Sequence, residues 1–317
     1  MIILANDGMS QEGINLLEQS GHKVITTKVT QEELATYINE NKVEALIVRS
    51  ATTARKDLID ACPNLKVIGR GGVGMDNIDV KYANSKGIHV FNTPASSSDS
   101  VAELVFAHIS GMLRFLHDSN GRLTDENFND LKKAYSKGSE MRGKNIGIIG
   151  FGRIGKAVAK VAYGVGMNVI AHDPWADSGV FEVTFADGQS IKTTAQMVSL
   201  EELLQFSDIV TIHIAGRDEI IGTKEIATMR KGSYIVNAAR GGVVNESALL
   251  EAVENGHLAG AALDVFVNEP NPNPEVLFNL KFSVTPHIGA ATVEAQDRIG
   301  VELANGINDF LKKDVLV

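Results

Sequence analysis

Short apolar runs that recur between stretches of helical periodicity constrain this chain more than any other feature. Residues 2–5, 24–26, 45–48, 67–68 and 88–91 form one series of such runs, and 146–149, 169–171, 209–214, 234–238, 261–265 and 283–285 form a second. Runs this short and this evenly apolar are the mark of strands covered on both faces. Helical patterns stand between most of them, and strand, helix, strand in repetition requires parallel neighbours with helices on both sides. The expected fold class is α/β, with two doubly wound parallel sheets.

Local signals fill in the organisation. Thr30 followed by Glu33 predicts a capping box opening the helix at 34–38, and Gly21 and Gly87 are placed to end helices. Ser98 leads into one long apolar-rich helix over 101–116, followed by a polar stretch at 118–143. Residues 180–194 break the alternation and read as an inserted β-hairpin around Asp187-Gly188. An amphipathic segment at 293–311 follows the last strand and is expected to return to the first domain. A chain of 317 residues suits two domains. The expected division is 1–98 with 291–317 as one discontinuous domain and 99–290 as the other.

A formal net charge of −9 argues against a nucleic-acid partner, because phosphate backbones demand a dense basic surface. Cys62 is the single cysteine, which rules out an internal disulfide and leaves no thiolate cluster for a metal. The expectation is a cytoplasmic protein with no structural metal. Its N-terminal apolar run is too short for an export signal, and no stretch approaches the ~20 apolar residues of a membrane span.

After the run at 146–149 comes Gly150-Phe-Gly152-Arg153-Ile154-Gly155, followed by an apolar helical pattern. In that setting the glycines permit a tight turn and a close backbone approach to a pyrophosphate seated on the following helix N-terminus. The next strand ends at Asp173, 18 residues beyond Gly155. A carboxylate there suits ribose hydroxyls and repels a 2′-phosphate, and no Arg or Lys follows before Lys192, so NAD is expected over NADP. The blander reading has Asp173 merely starting the turn at Pro174, and His172 is taken as structural.

Ligands of doubly wound sheets bind beyond the carboxyl ends of the strands. Arg240, Glu269 and His287 each follow such an end. Removing a hydride from a secondary alcohol needs a base for the hydroxyl proton, a cation for a neighbouring carboxylate and a group that orients the base. His, Arg and Glu supply those roles, although each alone has an ordinary structural explanation. Asp264 is a charge inside an apolar run, where burial demands a partner, and a ligand amide is one candidate.

Six ordered blocks carry a family resemblance: Gly69 through Asp79, Gly150 through Gly155, Asn237-Ala238-Ala239-Arg240-Gly-Gly, Ala262-Leu-Asp264-Val, Glu269-Pro270 and Pro286-His287-Ile-Gly289. The chain resembles the D-isomer-specific 2-hydroxyacid dehydrogenases over nearly its whole length. That resemblance implies a Rossmann cofactor domain inserted in a flavodoxin-like substrate domain. It also implies that Arg240 orients the carboxylate and keto oxygen, that Glu269 pairs with His287 and that His287 exchanges the proton. Around the cofactor it places His213, Ala238, Ala239, Asp264 and Gly289, together with Val73 of the first domain, and it implies a homodimer built through the cofactor domain. Ala215 stands where many members have proline, and the 180–194 hairpin is longer than usual. Both departures bear on the adenosine side.

Within the family the chain looks most like the D-3-phosphoglycerate dehydrogenases, through Val48-Arg49-Ser50-Ala-Thr52 and Asn92-Thr-Pro94. A small, doubly anionic substrate is therefore expected, held by Arg49, Ser50, Gly72 and Val73 as well as Arg240 and His287. Ser97 stands where those members often have asparagine. The sequence ends soon after the returning helix, so a form without a C-terminal regulatory domain is expected. The alternatives are a glycerate, hydroxypyruvate or other D-2-hydroxyacid dehydrogenase, and a non-catalytic NADH-binding module of corepressor type.

Overall fold

In the computed structural model, which describes residues 1–314, the first series of runs becomes β1 (Ile2–Ala5), β2 (Lys23–Ile25), β3 (Ala45–Val48), β4 (Val67–Arg70) and β5 (His89–Asn92). The last three residues of the expected 291–317 segment lie outside the described residues. The five strands pair in the order β2-β1-β3-β4-β5, every pair parallel. Strand periodicity sends alternate residues to opposite faces. Leu4, Leu46, Val48 and Ile68 meet Leu34, Ile38, Leu58, Ile59 and Ala83 on one side. Ile3, Ala5, Ala45, Ile47 and Val67 meet Leu17, Ile299, Leu303, Ala304 and Ile307 on the other.

The second series supplies β6 (Asn145–Ile149), β7 (Asn168–His172), β8 (Val180–Thr184), β9 (Ser190–Thr194), β10 (Gln196–Met197), β11 (Ile209–Ile212), β12 (Tyr234–Asn237), β13 (Gly260–Leu263) and β14 (Phe282–Val284). Seven of these form a parallel sheet in the order β10-β7-β6-β11-β12-β13-β14. Helices Ser98–Leu113 and Arg153–Gly164 bury Val105, Ile109, Val158 and Ala162 against one face, where Ile146, Ile148, Ile209 and Val236 point. Leu203, Leu204, Ile226, Leu249 and Val253 cover the other. β8 and β9 pair antiparallel as the sequence predicts, and Phe181 on β8 packs edge-on to Phe151 and Tyr163. By contact density the chain falls into two units: Met1–Ser97 with the segment from Ala290 onward, and Ser98–Gly289. Among the described residues no helix is long and apolar enough to cross a membrane.

Two local expectations change. The single helix expected over 101–116 ends at Leu113, and Phe115 adopts a left-handed backbone, φ 58°, before a separate helix Leu116–Arg122. The polar stretch carries a further short helix, Phe128–Ala134. The Thr30 capping box is only half made. Thr30 Oγ1 accepts from the Glu33 amide at 3.4 Å, but the Glu33 carboxylate takes the Thr30 hydroxyl instead of its N–H, and the helix runs Leu34–Glu40. The two-residue β10, too short to carry a periodicity of its own, was not legible.

One close approach fixes helix packing in the first unit. Helix Gln11–Gln19 lies against helix Val293–Asp314 so tightly that a Cβ on Gly13 would stand 2.6 Å from the backbone of Gly300. Gly13→Val should therefore destabilise the protein by about 1 to 3 kcal/mol through overpacking. Urea unfolding checks this, and an unchanged midpoint would show that the two helices separate freely.

Candidate active site

The turn after β6 shows why each glycine is needed. Gly150 has φ +88°, and a Cβ there would stand 2.5 Å from the His213 carbonyl at the end of β11. A Cβ at Gly155 would overlap the Gly150 carbonyl. Gly152 is different: its Cβ position is open, it caps helix Arg153–Gly164 without any side-chain cap, and Arg153 beside it is exposed. Unsatisfied amides at a helix start with no side chain in front form an anion seat. Ile154 is half-buried under that turn.

Asp173 closes the far side. Its Oδ2 accepts from Phe151 N at 2.7 Å and its Oδ1 from Trp175 N at 2.9 Å. The second bond is the turn that the blander reading foresaw. The first ties the carboxylate to the glycine turn, and each oxygen keeps a lone pair for a diol. His172 is structural, Nδ1 lying 3.0 Å from the Val198 carbonyl. His213 bonds Thr211 Oγ1 through Nε2 at 2.8 Å, while its buried Nδ1 has no partner among the described residues. Burial pushes its pKa down to about 3, so the ring is neutral. An open glycine turn, a pinned carboxylate and an orphaned ring nitrogen suit a dinucleotide.

Arg240, Glu269 and His287 lie beyond the ends of β12, β13 and β14. Asn237 Oδ1 accepts from Ala239 N at 3.0 Å and its Nδ2 donates to Arg240 O at 2.9 Å, which fixes the Ala238–Arg240 turn. Gly241 follows because a Cβ there would overlap the Phe266 carbonyl. The Phe266 amide in turn donates to Glu269 Oε1 at 2.9 Å, and Glu269 Oε2 lies 2.8 Å from His287 Nδ1. With Nδ1 committed to a carboxylate, Nε2 is the nitrogen left to exchange a proton. His287 has φ 56°, a left-handed conformation costing roughly 1 to 3 kcal/mol for a residue with a side chain.

What holds it there is Asp264. Its Oδ1 accepts from Thr285 Oγ1 at 2.6 Å and from Ile288 N at 2.8 Å, and its Oδ2 from Gly289 N at 2.9 Å. The His287 N–H donates to the Asp264 carbonyl at 2.8 Å. The ligand amide considered as the partner of this buried carboxylate is not required, because the chain's own 285–289 turn supplies the donors.

Two neighbours escaped the sequence reading. His108, buried on helix Ser98–Leu113, lies 3.0 Å from Thr285 Oγ1 through Nε2 and 2.8 Å from Ser283 Oγ through Nδ1. Thr285 spends its one hydroxyl proton on Asp264, so His108 donates from Nε2 and accepts from Ser283. Burial lowers its pKa, against the pull of Asp264 and with the help of His117. Glu246 accepts from Val267 N at 2.7 Å, next to the amide that holds Glu269. Burial raises its pKa and the Glu269 charge adds to that, outweighing the Val267 bond. A lone histidine in an apolar helix was a visible signal, whereas Glu246 looked like any first-turn acid.

The remaining expected residues belong to the first unit. Arg49 and Ser50 follow β3. Gly72 and Val73 follow β4, with Gly72 at φ +129° and its N–H donated to Thr93 Oγ1 at 2.7 Å. The Arg70 guanidinium lies directly over Gly72, where the positive φ already disfavours a side chain, which makes Arg70 a cation that the sequence reading passed over.

Residues 106–289 match the model of the D-isomer specific 2-hydroxyacid dehydrogenase, NAD binding domain. The chain is 37% identical to D-3-phosphoglycerate dehydrogenase of Bacillus subtilis, over 98% of its own length and 57% of that protein's. It is 41% identical to hydroxypyruvate reductase of Thermotoga maritima over 95% of both chains. NAD-bound 3-phosphoglycerate dehydrogenase of Entamoeba histolytica superposes with a TM-score of 0.77 at 26% identity, over 98% of this chain and 95% of that one. The chain thus spans less than two thirds of the bacterial phosphoglycerate dehydrogenase that it matches.

His108 gives the site a pH-dependent contribution to stability. Its native pKa is depressed while the unfolded value is about 6.5, so the contribution is complete above that pH and is lost as pH falls. The expected slope is at most about 1.4 kcal/mol per pH unit for each such histidine. His213 acts in the same sense. Calorimetry between pH 7.5 and 5.5 should show a falling melting temperature, with a shallower fall in His108→Gln. Parallel profiles for the two proteins would remove His108 from the account.

Proposed function

The chain belongs to the D-isomer specific 2-hydroxyacid dehydrogenase family, and from that premise we propose that it interconverts a D-2-hydroxy acid and its 2-oxo acid with NAD. The observation that carries this is the 2.8 Å contact of His287 Nδ1 with Glu269, which leaves Nε2 as the proton-exchanging atom. Arg240, on the turn braced by Asn237, takes the substrate carboxylate as a charge-assisted pair. Bound NAD supplies the hydride acceptor, and NADH the hydride donor, at the carbon bearing the oxygen. In oxidation His287 Nε2 takes the hydroxyl proton while Glu269 stabilises the imidazolium. In reduction the same nitrogen returns the proton to the keto oxygen, and Glu269 keeps the other ring proton in place. Gly150, Gly152, Arg153, Ile154 and Gly155 seat the pyrophosphate, Asp173 the adenosine ribose, and Ala238, Ala239, Asp264 and Gly289 the nicotinamide side.

The substrate assigned first is 3-phospho-D-glycerate, with 3-phosphohydroxypyruvate as its product. Arg49 and Ser50, beyond β3, take its phosphate, and Gly72 and Val73 line the same substrate-binding unit. Relatives named D-3-phosphoglycerate dehydrogenase support this reading. The Thermotoga relative, matched over 95% of its length, favours hydroxypyruvate as the second reading. The protein is further inferred to be cytoplasmic and a homodimer formed through the NAD-binding unit, where Leu116, Leu123 and Phe128 are more than half exposed.

Steady-state kinetics test the chemistry. His287→Ala should lower turnover by about 10² to 10⁴ while NADH binding, followed by fluorescence, persists. Turnover near that of the parent enzyme would remove His287 from the mechanism. A substrate panel then decides the rest. NAD should be preferred over NADP by at least about tenfold. Phosphohydroxypyruvate should be reduced more efficiently than hydroxypyruvate, and the reverse order would leave only the second reading.

A further inference from the structure

The sheet of the first unit reverses its winding between β1 and β3, and crevices at such reversals, beyond the carboxyl ends of the strands, are where doubly wound units take ligands. Beside that reversal lies a buried carboxylate. Asp7, two residues beyond β1 and with 4% of its side chain exposed, collects four donors. Its Oδ2 accepts from Arg49 N at 2.6 Å and Thr52 N at 3.0 Å, and its Oδ1 accepts from Thr52 Oγ1 at 2.7 Å and from Lys28 Nζ. Asn77 Nδ2 grips the same turn by its carbonyls, reaching Arg49 O and Thr52 O at 2.6 Å each. Asn6 Nδ2 adds a bond to Thr52 Oγ1 at 2.9 Å.

The turn is thereby held from both sides, its N–H groups by a carboxylate and its carbonyls by an amide. Between the two captured amides lie Ser50 and Ala51, both exposed, whose N–H groups have no protein acceptor among the described residues. Two adjacent open amides that directly follow an arginine in the chain have the makings of a small anion cradle. Such a cradle works only if the turn keeps its shape when an anion competes for the Arg49 and Thr52 amides. Burial opposes ionisation of Asp7, but the Lys28 and Thr52 side chains with the Arg49 and Thr52 amides outweigh it, and its carboxyl stays below the ordinary range. The internal anion is therefore present at any pH near neutrality.

We propose that Asp7 is a positioning residue for substrate selection: by occupying the amides of Arg49 and Thr52 it holds Arg49, Ser50 and Ala51 as the grip for the substrate's second anionic group. This rests on the assignment of that group to Arg49. Asp7 touches no substrate. Its effect is confined to how well the loop meets an anion and leaves the proton transfer at His287 unaltered.

The test compares Asp7→Asn, Arg49→Ala and the double variant, with 3-phosphohydroxypyruvate and hydroxypyruvate as substrates and a melting curve for each protein. Asp7→Asn should raise KM for the phosphorylated substrate by about tenfold, with kcat within about twofold and KM for hydroxypyruvate within about threefold. The double variant should be little worse than Arg49→Ala, because both changes disable one grip. A selective loss in Arg49→Ala with none in Asp7→Asn overturns the role of Asp7 alone. Equal losses on both substrates in Arg49→Ala overturn the phosphate assignment and this inference with it. Independent, multiplying losses in the double variant also overturn it, since they mark a general structural defect. If Asp7→Asn does not fold, Thr52→Val, which removes one of the four bonds, carries the same test. It should raise KM for the phosphorylated substrate about threefold, and an unchanged KM refutes the proposal.

Discussion

A carboxylate out of reach of water must be given hydrogen bonds by the chain, and Asp264, 2% exposed at the end of β13, obtains them by winding residues 285–289 around itself. The arrangement beyond β14 follows from that demand. Thr285, Ile288 and Gly289 present donors to one carboxylate, and the backbone between them does so by turning through a left-handed residue. That residue is His287. The hydrogen bonds outweigh the local strain, and the imidazole is held where Glu269 reaches its Nδ1. Removing the charge of Asp264 would free the turn, which makes this buried acid the fixed point of the His287–Glu269 arrangement.

The same logic is repeated where backbones meet. The Arg240 turn and the loop carrying Glu269 come together because Gly241 has no side chain to separate them. The glycine turn after β6 approaches the end of β11 because Gly150 has none either. In the first unit Asp7 organises its turn as Asp264 does in the second, with a carboxylate at a strand end collecting amides from a neighbouring strand's exit. Strand ends in parallel sheets leave such amides unpaired, and an internal acid is one way to satisfy them without fixing a ligand there.

The strands were the easiest part to see in the sequence. β1 and β3 begin and end at the apolar runs themselves, and the others differ by a residue or two at their ends, because strands buried on both faces must be apolar throughout. The hairpin was equally visible, with Asp187-Gly188 at its tip and alternating residues on either side. The break at Phe115 was not. Apolar periodicity continues through it, and only packing decides that the chain turns there. Thr30 and Glu33 had the spacing of a capping box, yet the glutamate found a better donor in the threonine hydroxyl.

Among the site residues, sequence alone determined identities and order. A glycine turn after a strand, an acid at the end of the next strand, and Arg, Glu and His beyond three later strands follow from spacing, since side-chain chemistry and strand ends are local properties. Tertiary structure decided the partnerships. That Asp264 serves the 285–289 turn, that His108 reaches Thr285 from a distant helix, and that Asp7 holds the turn containing Arg49 cannot be read from spacing. Those bonds join residues far apart in the chain, and their geometry exists only after the sheets have brought separate strand ends side by side.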